Sequence, residues 1–505
     1  MRALQSQRSG LSRRLGRIAA TATAVVLALP LGGCFLTDDV VPAAIGIPNS
    51  YRYAPRNADA ALPSVVWWRG FRSKELTDLI EESLTSNFDV AAAVARIVQA
   101  DAQARIAGAA LLPAVDLNGS ASRSRNSKST GTSDSIGRSE HTNLSASLSV
   151  TYEIDFWGKN RATQRAAEET AIASRFDREV VALTTVASVA NSYFQVLAAY
   201  DRLRIARDNL AAATRVYNLI KQRTDVGTAS ALDVAQQESL VNIQRASIPP
   251  LEQTLRQTIA VLAVLLGRTP ETVNIRSGSM NRIAVPPVTP GMPSDLIAQR
   301  PDIREAEALL ASANANVYAA RAAFLPSIQL TGEGGYQSAV LKALLRPESA
   351  FFNLAAGLTQ PIFDGARLQG QLDLQKGRQD ELLQLYRKAI VNGFSDVEQA
   401  LIAVQQTARR ERLQRDVVAS SRRAFEISET RLREGTIDLV TLLNTQQTLF
   451  QAQDTLVQAR LDRLQAVVAL FRALGGGWQK PPADEPARSR TRGRRADAGE
   501  GAPTP

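Results

Sequence analysis

The groups that most often do chemistry are nearly missing from these 505 residues, which hold one cysteine, Cys34, and one histidine, His141. A zinc site, a Ser-His-Asp triad or a Cys-His pair needs such groups clustered. Carboxylate-only catalysis stays open in principle, but no paired acidic motif stands out, so the chain reads as a non-enzyme without cofactor or metal. His141 is expected in solvent near an outer loop. A lone cysteine also forbids an intrachain disulfide, which leaves the chemistry of Cys34 itself. Arg2, Arg8, Arg13, Arg14 and Arg17 precede a short apolar stretch over residues 18–29, too brief for an ordinary spanning helix. Leu31-Gly32-Gly33-Cys34 then sets two small residues before the thiol, a pattern in which the cysteine is acylated and the chain is cut after Gly33. A plain signal peptide with a chance cysteine is the alternative; the position of the sole cysteine favours lipidation. Residues 1–33 are expected to be a lipoprotein signal peptide and 34–73 a lipidated linker, held by buried acyl methylenes.

The net charge of +10 suggests a nucleic-acid partner, but its distribution does not. Residues 1–33 carry five arginines and no acid, residues 481–505 carry five arginines against four acids, and +4 remains on 34–480. So balanced a body is no phosphate-binding surface, and no nucleic-acid partner is expected. The segment 476–505, rich in proline, arginine and small residues, reads as a disordered tail.

The elements between these ends are written twice. Leu112-Pro113-Ala114-Val115-Asp116-Leu117-Asn118-Gly119 returns as Leu325-Pro326-Ser327-Ile328-Gln329-Leu330-Thr331-Gly332, and Phe156-Trp157-Gly158 returns as Phe363-Asp364-Gly365. Gly227-Thr228 returns as Gly435-Thr436, and Leu266-Gly267 as Leu474-Gly475. The landmarks keep one order and nearly one spacing, so residues 74–267 and 294–475 are two structural repeats joined by a connector, 268–293. Each repeat starts with a moderate helix, 74–110 and then 294–323. Two strands follow, about 114–123 and 143–155, then about 327–337 and 352–362. A very long helix comes next, 159–224 and 366–433. A Gly-Thr turn, near 227 and near 435, sends a second helix back.

Strands are identified by parity. Over residues 144–154, Leu144, Ala146, Leu148, Val150, Tyr152 and Ile154 alternate with Ser145, Ser147, Ser149, Thr151 and Glu153. That is a strand with one apolar and one wet face, suited to a barrel with lipid outside and water inside; a soluble sandwich sheet is the competing account. The helices step by three and four, as in Leu203, Ala206, Leu210, Ala213, Tyr217 and Ile220, which is coiled-coil spacing with alanines that admit close neighbours. Sixty-odd helical residues reach about 90–100 Å. Pro249-Pro250 should break or kink the first return arm.

Four strands cannot close a membrane barrel, and open edges cannot face hydrocarbon. Three copies supply twelve strands and two a narrow eight, with the helices prolonging the barrel into a hollow stem. A surface stalk through which nothing passes and a carboxylate-dependent periplasmic hydrolase are the rivals from other classes; a stalk, however, needs no return arm.

The residues Gln299-Arg300-Pro301-Asp302-Ile303-Arg304 and Leu358-Thr359-Gln360-Pro361-Ile362-Phe363-Asp364-Gly365, with Ser192-Tyr193-Phe194, resemble the TolC-like outer-membrane efflux proteins in their OprM/NodT-type lipoprotein branch, over about residues 67–478. The resemblance implies a mainly α fold with transmembrane β, in which each protomer of a homotrimer gives four strands to a twelve-stranded barrel continuous with an α-helical tunnel. It implies an outer-membrane exit duct of a tripartite efflux system, fed by an RND-type inner-membrane transporter through a periplasmic adaptor, and seated in outer-membrane lipid. Phe35 after Cys34 fits outer-membrane sorting. Gly227, Thr228, Gly435 and Thr436 match the family's hairpin tips, where the gate and adaptor-docking surface lie. The family often has an aspartate nine residues beyond the second glycine; here Asn444 stands there, so the expectation is a neutral ring in place of a charged constriction, with Asp438 or Asp233 as nearby charge carriers, a solvated helix residue at 444 being the alternative. Drugs, metabolites, metals and polypeptides all remain open as cargo.

Overall fold

The computed structural model describes residues 45–54, 64–125, 140–276, 278–288 and 290–478. Cys34, residues 1–33, the loop 126–139 and the tail from 479 lie outside the described residues. The chain order is α1 (Lys74–Ser86), α2 (Phe88–Gly108), β1 (Ala114–Arg125), β2 (Glu140–Ile154), α3 (Lys159–Asp225) and α4 (Ala231–Leu265). The same order then recurs as α5 (Pro293–Gln299), α6 (Pro301–Ala322), β3 (Ser327–Ser338), β4 (Ala350–Thr359), α7 (Arg367–Arg433) and α8 (Leu439–Ala473). The long helices α3 and α7 have 67 residues each, about 100 Å. One stretch of α3 is apolar enough to cross a membrane, but most of it is buried within the protein.

The strands form one antiparallel sheet in the order β1-β2-β3-β4, so β1 and β4 are its edges. The register lines up the parity of all four. Leu117, Leu148, Gly334 and Phe352 share one row, and Val115, Val150, Gly332 and Leu354 share another, all on one face. That face lies bare, with Leu117 81%, Phe352 83% and Leu354 79% exposed. The opposite face carries rows such as Asp116, Ser149, Glu333 and Asn353. His141 is exposed at the start of β2, opposite Ser124.

Each moderate helix is in fact two. The expected helix 74–110 breaks at Asn87, whose backbone is extended and whose side-chain oxygen accepts from the amides of Asp89 and Val90 at 2.9 and 3.1 Å. The expected helix 294–323 breaks at Arg300, because the residue before a proline avoids the helical region and Pro301 begins the next helix. The breaks do the same work in both halves. Asn87 Nδ2 donates to Leu265 O at 2.9 Å, and Arg300 Nη1 donates to Ala473 O at 3.1 Å, so each satisfies a carbonyl at the end of a return helix. Arg300 also forks onto Asp302 at 2.9 and 2.7 Å and reaches Asp396 at 3.0 Å. Burial disfavours its charge, but these carboxylates more than offset that and hold its pKa above the ordinary value.

Three further expectations need correcting. Pro249 and Pro250 sit inside α4 without ending it, so of the break or kink expected the break does not occur; Arg245 and Ala246, whose carbonyls lose their helical donors, are exposed to water. β4 ends at Thr359 rather than 362, because Pro361 has no amide for the ladder and the Gln360 side chain donates instead to Phe324 O at 3.0 Å. The segments 34–73 and 476–505 are more than linker and tail. Trp67, Trp68 and Phe71 are buried in the largest apolar cluster with Phe194, Leu197 and Phe471. Trp67 stacks on Phe471 at 4.8 Å and donates to Gly476 O at 3.2 Å, while Trp478 meets Phe176 edge-on.

Candidate gate and channel walls

The strand-to-helix junctions set the walls. Asp155 accepts from the amides of Asn160 and Arg161, both at 2.9 Å, and Asp364 accepts from those of Arg367 and Leu368 at 3.2 and 3.0 Å. A carboxylate thus caps each long helix as the sheet hands over to it. Trp157 Nε1 ties the first junction to Pro326 O, at the second repeat's strand, at 2.8 Å.

At the far ends the two hairpins turn alike. Gly227 takes φ 75° and Gly435 φ 73°, the left-handed region in which a side chain costs energy. Gly227 donates to Thr224 O and Gly435 to Leu432 O. The next residue then closes the turn twice on one carbonyl. Thr228 reaches Arg223 O through its amide at 2.8 Å and its hydroxyl at 3.0 Å; Thr436 reaches Arg431 O at 3.0 and 3.1 Å. A Schellman closure reinforced by a hydroxyl accounts for threonine after glycine in both repeats.

The two aspartates cap the return helices. Ser230 Oγ accepts from the Asp233 amide at 3.1 Å while the Asp233 carboxylate accepts from the Ser230 amide at 2.8 Å, a reciprocal capping box. Asp438 accepts from the Thr441 amide at 2.7 Å. Hydrogen bonds from Thr441 hold the Asp438 carboxyl below its ordinary range, so it stays ionised. Asn444 is exposed six residues along α8, about 9 Å farther. Neither aspartate hydrogen-bonds it, so within one chain the three do not form a cluster.

What unites the tips is a shared core of Ile220, Leu240, Phe425, Leu442, Leu449 and Phe450. Two polar ties cross between hairpins: Arg223 Nη1 to Leu432 O at 2.6 Å, and the Arg202 fork to Asp454 at 2.6 and 3.2 Å. Gln237 and Gln446 were not singled out from the sequence, yet both are fully buried here. Gln237 Nε2 donates to Ala213 O at 2.9 Å, whereas neither amide atom of Gln446 has a partner. The available signal was phase, since Gln446 occupies an apolar seam position between Leu442 and Leu449.

Among the described residues no group of three or more His, Cys, Asp or Glu side chains is arranged to hold a metal. The arrangement offers long walls, a two-faced sheet and tightly turned tips, which suits passage rather than conversion.

Comparison with known proteins agrees. The sequence profile of the outer membrane efflux protein family matches residues 79–268 and again 292–476, one match per repeat. The pyoverdine export outer membrane protein OpmQ of Pseudomonas aeruginosa is 40% identical over 454 residues, 89% of this chain and 95% of that protein. The toluene efflux pump outer membrane protein TtgC of Pseudomonas putida is 35% identical, over 90% of this chain and 94% of its own length. The solved outer-membrane channel OprN superposes with a TM-score of 0.82 at 25% identity, covering 87% of this chain and 99% of that one. The chain therefore belongs to the outer membrane efflux protein family, and it is an outer-membrane exit channel for efflux, not an enzyme.

Proposed function

We propose that three copies close a twelve-stranded barrel, with the bare apolar rows toward lipid and the polar rows toward a water-filled lumen. The observation that carries this reading is the sheet itself: four strands with aligned apolar rows and two unpaired edges, β1 and β4. Hydrocarbon does not tolerate open edges, and four strands are too few to close alone. The long helices then continue the barrel as a periplasmic tunnel, its tips at Gly227-Thr228 and Gly435-Thr436 meeting a periplasmic adaptor that links to an inner-membrane transporter of the RND type. Cys34 carries the lipid that anchors the N-terminus. The named cargoes of the relatives differ, pyoverdine in one and toluene in another, which suits a passive duct whose cargo is chosen by the transporter. Purified in detergent, the protein is expected to have three times the chain mass and to give discrete conductance steps in planar bilayers. A monomer or dimer, or a trimer that conducts nothing, would overturn this account.

At the tips, Asn444 lines a neutral, hydrogen-bonding ring and the charge belongs to Asp233 and Asp438. Asparagine caps helices about as well as aspartate, so Asp233→Asn with Asp438→Asn removes charge while keeping the turns. The double variant is expected to weaken block by a trivalent cation added from the tip side at least tenfold, with single-channel conductance as the measurement. Block of unchanged strength would place the charge elsewhere.

A further inference from the structure

Apart from tips and sheet, a cluster of charged side chains lies where the connector crosses the helices. Helix α3 packs on α4 at one side and on α8 at the other, and α8 packs on α7. Residues of α3, α7 and α8, with Met280 and Asn281 of the connector, line a cavity of about 280 Å³. Every wall comes from this one chain. Four arginines reach it, Arg204 from α3, Arg415 and Arg422 from α7, and Arg460 from α8.

The carboxylates here are too few for them. Asp201 is buried and already holds the Ser279 hydroxyl, the Met280 amide and Arg204, each at 3.0 Å. Glu411, 1% exposed, accepts from Arg415, from Arg460 at 2.8 Å and from Arg463 at 2.7 Å. Asp208 lies 3.8 Å from Arg204 and is the remaining acid. Four guanidiniums of the lining therefore face three carboxylates, one of which, Glu411, also serves Arg463 outside the lining, and the Arg422 side chain has no hydrogen bond or ion pair among the described residues. Arg460 is fixed by what it already holds, since it also donates to Ile283 O at 2.8 Å. A cleft lined by four planar forks against three carboxylates, with Arg463 drawing on one of those carboxylates from outside, is suited to oxyanions.

We propose that this cavity binds a small polyanion bearing carboxylate or phosphate groups, about the size of citrate, held by Arg422, Arg204 and Arg415. Its occupant would touch α3, α7 and the connector at once, fastening the connector to both hairpins.

The test uses the full-length protein in detergent, titrated calorimetrically with citrate and separately with pyrophosphate, ionic strength being held constant with sodium chloride. Saturable binding of at least one probe, one site per chain, is expected, and the stronger of the two names the oxyanion. Arg422→Ala is expected to weaken it about tenfold; Arg422 is exposed and unpartnered, so the fold should tolerate the change. Arg423→Ala, an exposed neighbour that does not line the cavity, is expected to leave binding unchanged. Absence of saturable binding by either probe, or equal weakening by both substitutions, would overturn the proposal.

Discussion

Glu411→Ala is expected to remove about 3–5 kcal/mol of stability, the range found when a buried ion pair loses one partner. The side chain is 1% exposed and anchors three guanidiniums, of which Arg460 is 12% and Arg463 28% exposed. Without the carboxylate those two charges stay inside the protein with no counter-ion, and Arg460 remains tethered to Met280 O and Ile283 O, so it cannot swing out freely. Arg415, 55% exposed, can turn to water and should matter less. The same group predicts a pH dependence. Burial pushes the Glu411 carboxyl up, but hydrogen bonds from Arg463 and Arg460, and the charges of Arg460 and Arg415, outweigh burial and hold it below the ordinary carboxylate range. A depressed pKa means the unfolded chain binds more protons than the folded one. This contribution is therefore full above the ordinary glutamate range and lost as pH falls through the folded value. Thermal unfolding followed by circular dichroism in detergent should show Glu411→Ala unfolding well below the parent at neutral pH, the gap narrowing in acid. A gap that is small, or that widens in acid, would mean the arginines are hydrated and the knot is no keystone.

Much of the fold is legible in sequence because two of its devices are periodic. Parity alone placed Leu144 through Ile154 on a strand, and the register shows why it could: from Ala146 to Ile154 each apolar residue of β2 faces an apolar residue or glycine on β3 and, along 144–150, on β1 as well, so a one-residue slip would expose these rows to the wrong solvent. The seams of the long helices carried the same kind of signal. Gly227 and Gly435 were legible for a different reason, since a left-handed residue at a helix end selects glycine. What stayed hidden depends on contacts far apart in the chain. Asn87 reads as an ordinary helical residue until its amide is seen capping Leu265, 178 positions away. The proline pair in α4 misleads because its cost depends on whether the orphaned carbonyls meet water. Asn444, Asp233 and Asp438 were singled out by resemblance, but the capping by Asp233 and Asp438 needed coordinates. The knot at Glu411 has no local signature, since its partners come from two helices.

The repeat also sets up a comparison between two glycines that the sequence treats as equivalent. Gly267 and Gly475 end the return helices with φ 66° and 69°, so alanine at either carries the left-handed penalty of about 1–2 kcal/mol. Their surroundings differ. A Cβ on Gly267 would lie 2.3 Å from Ser86 O and 3.1 Å from its carbonyl carbon, a clash with backbone just before the Asn87 break. A Cβ on Gly475 would lie 3.1 Å from Gln299 O, tight but within reach of a small shift. Ser86 cannot yield readily, because its hydroxyl is held between Glu82 O and Leu266 O, both at 2.8 Å, and Asn87 next to it is bonded to Leu265 O. Adding the cost of forced overpacking, typically about 1–3 kcal/mol, Gly267→Ala is expected to lose about 3–4 kcal/mol and Gly475→Ala about 1–2 kcal/mol. Each single variant would be unfolded beside the parent under identical detergent conditions. Equal losses would show that the α1–α2 break is pliant, and that the contact between Gly267 and Ser86 does not hold the first repeat's return helix in place.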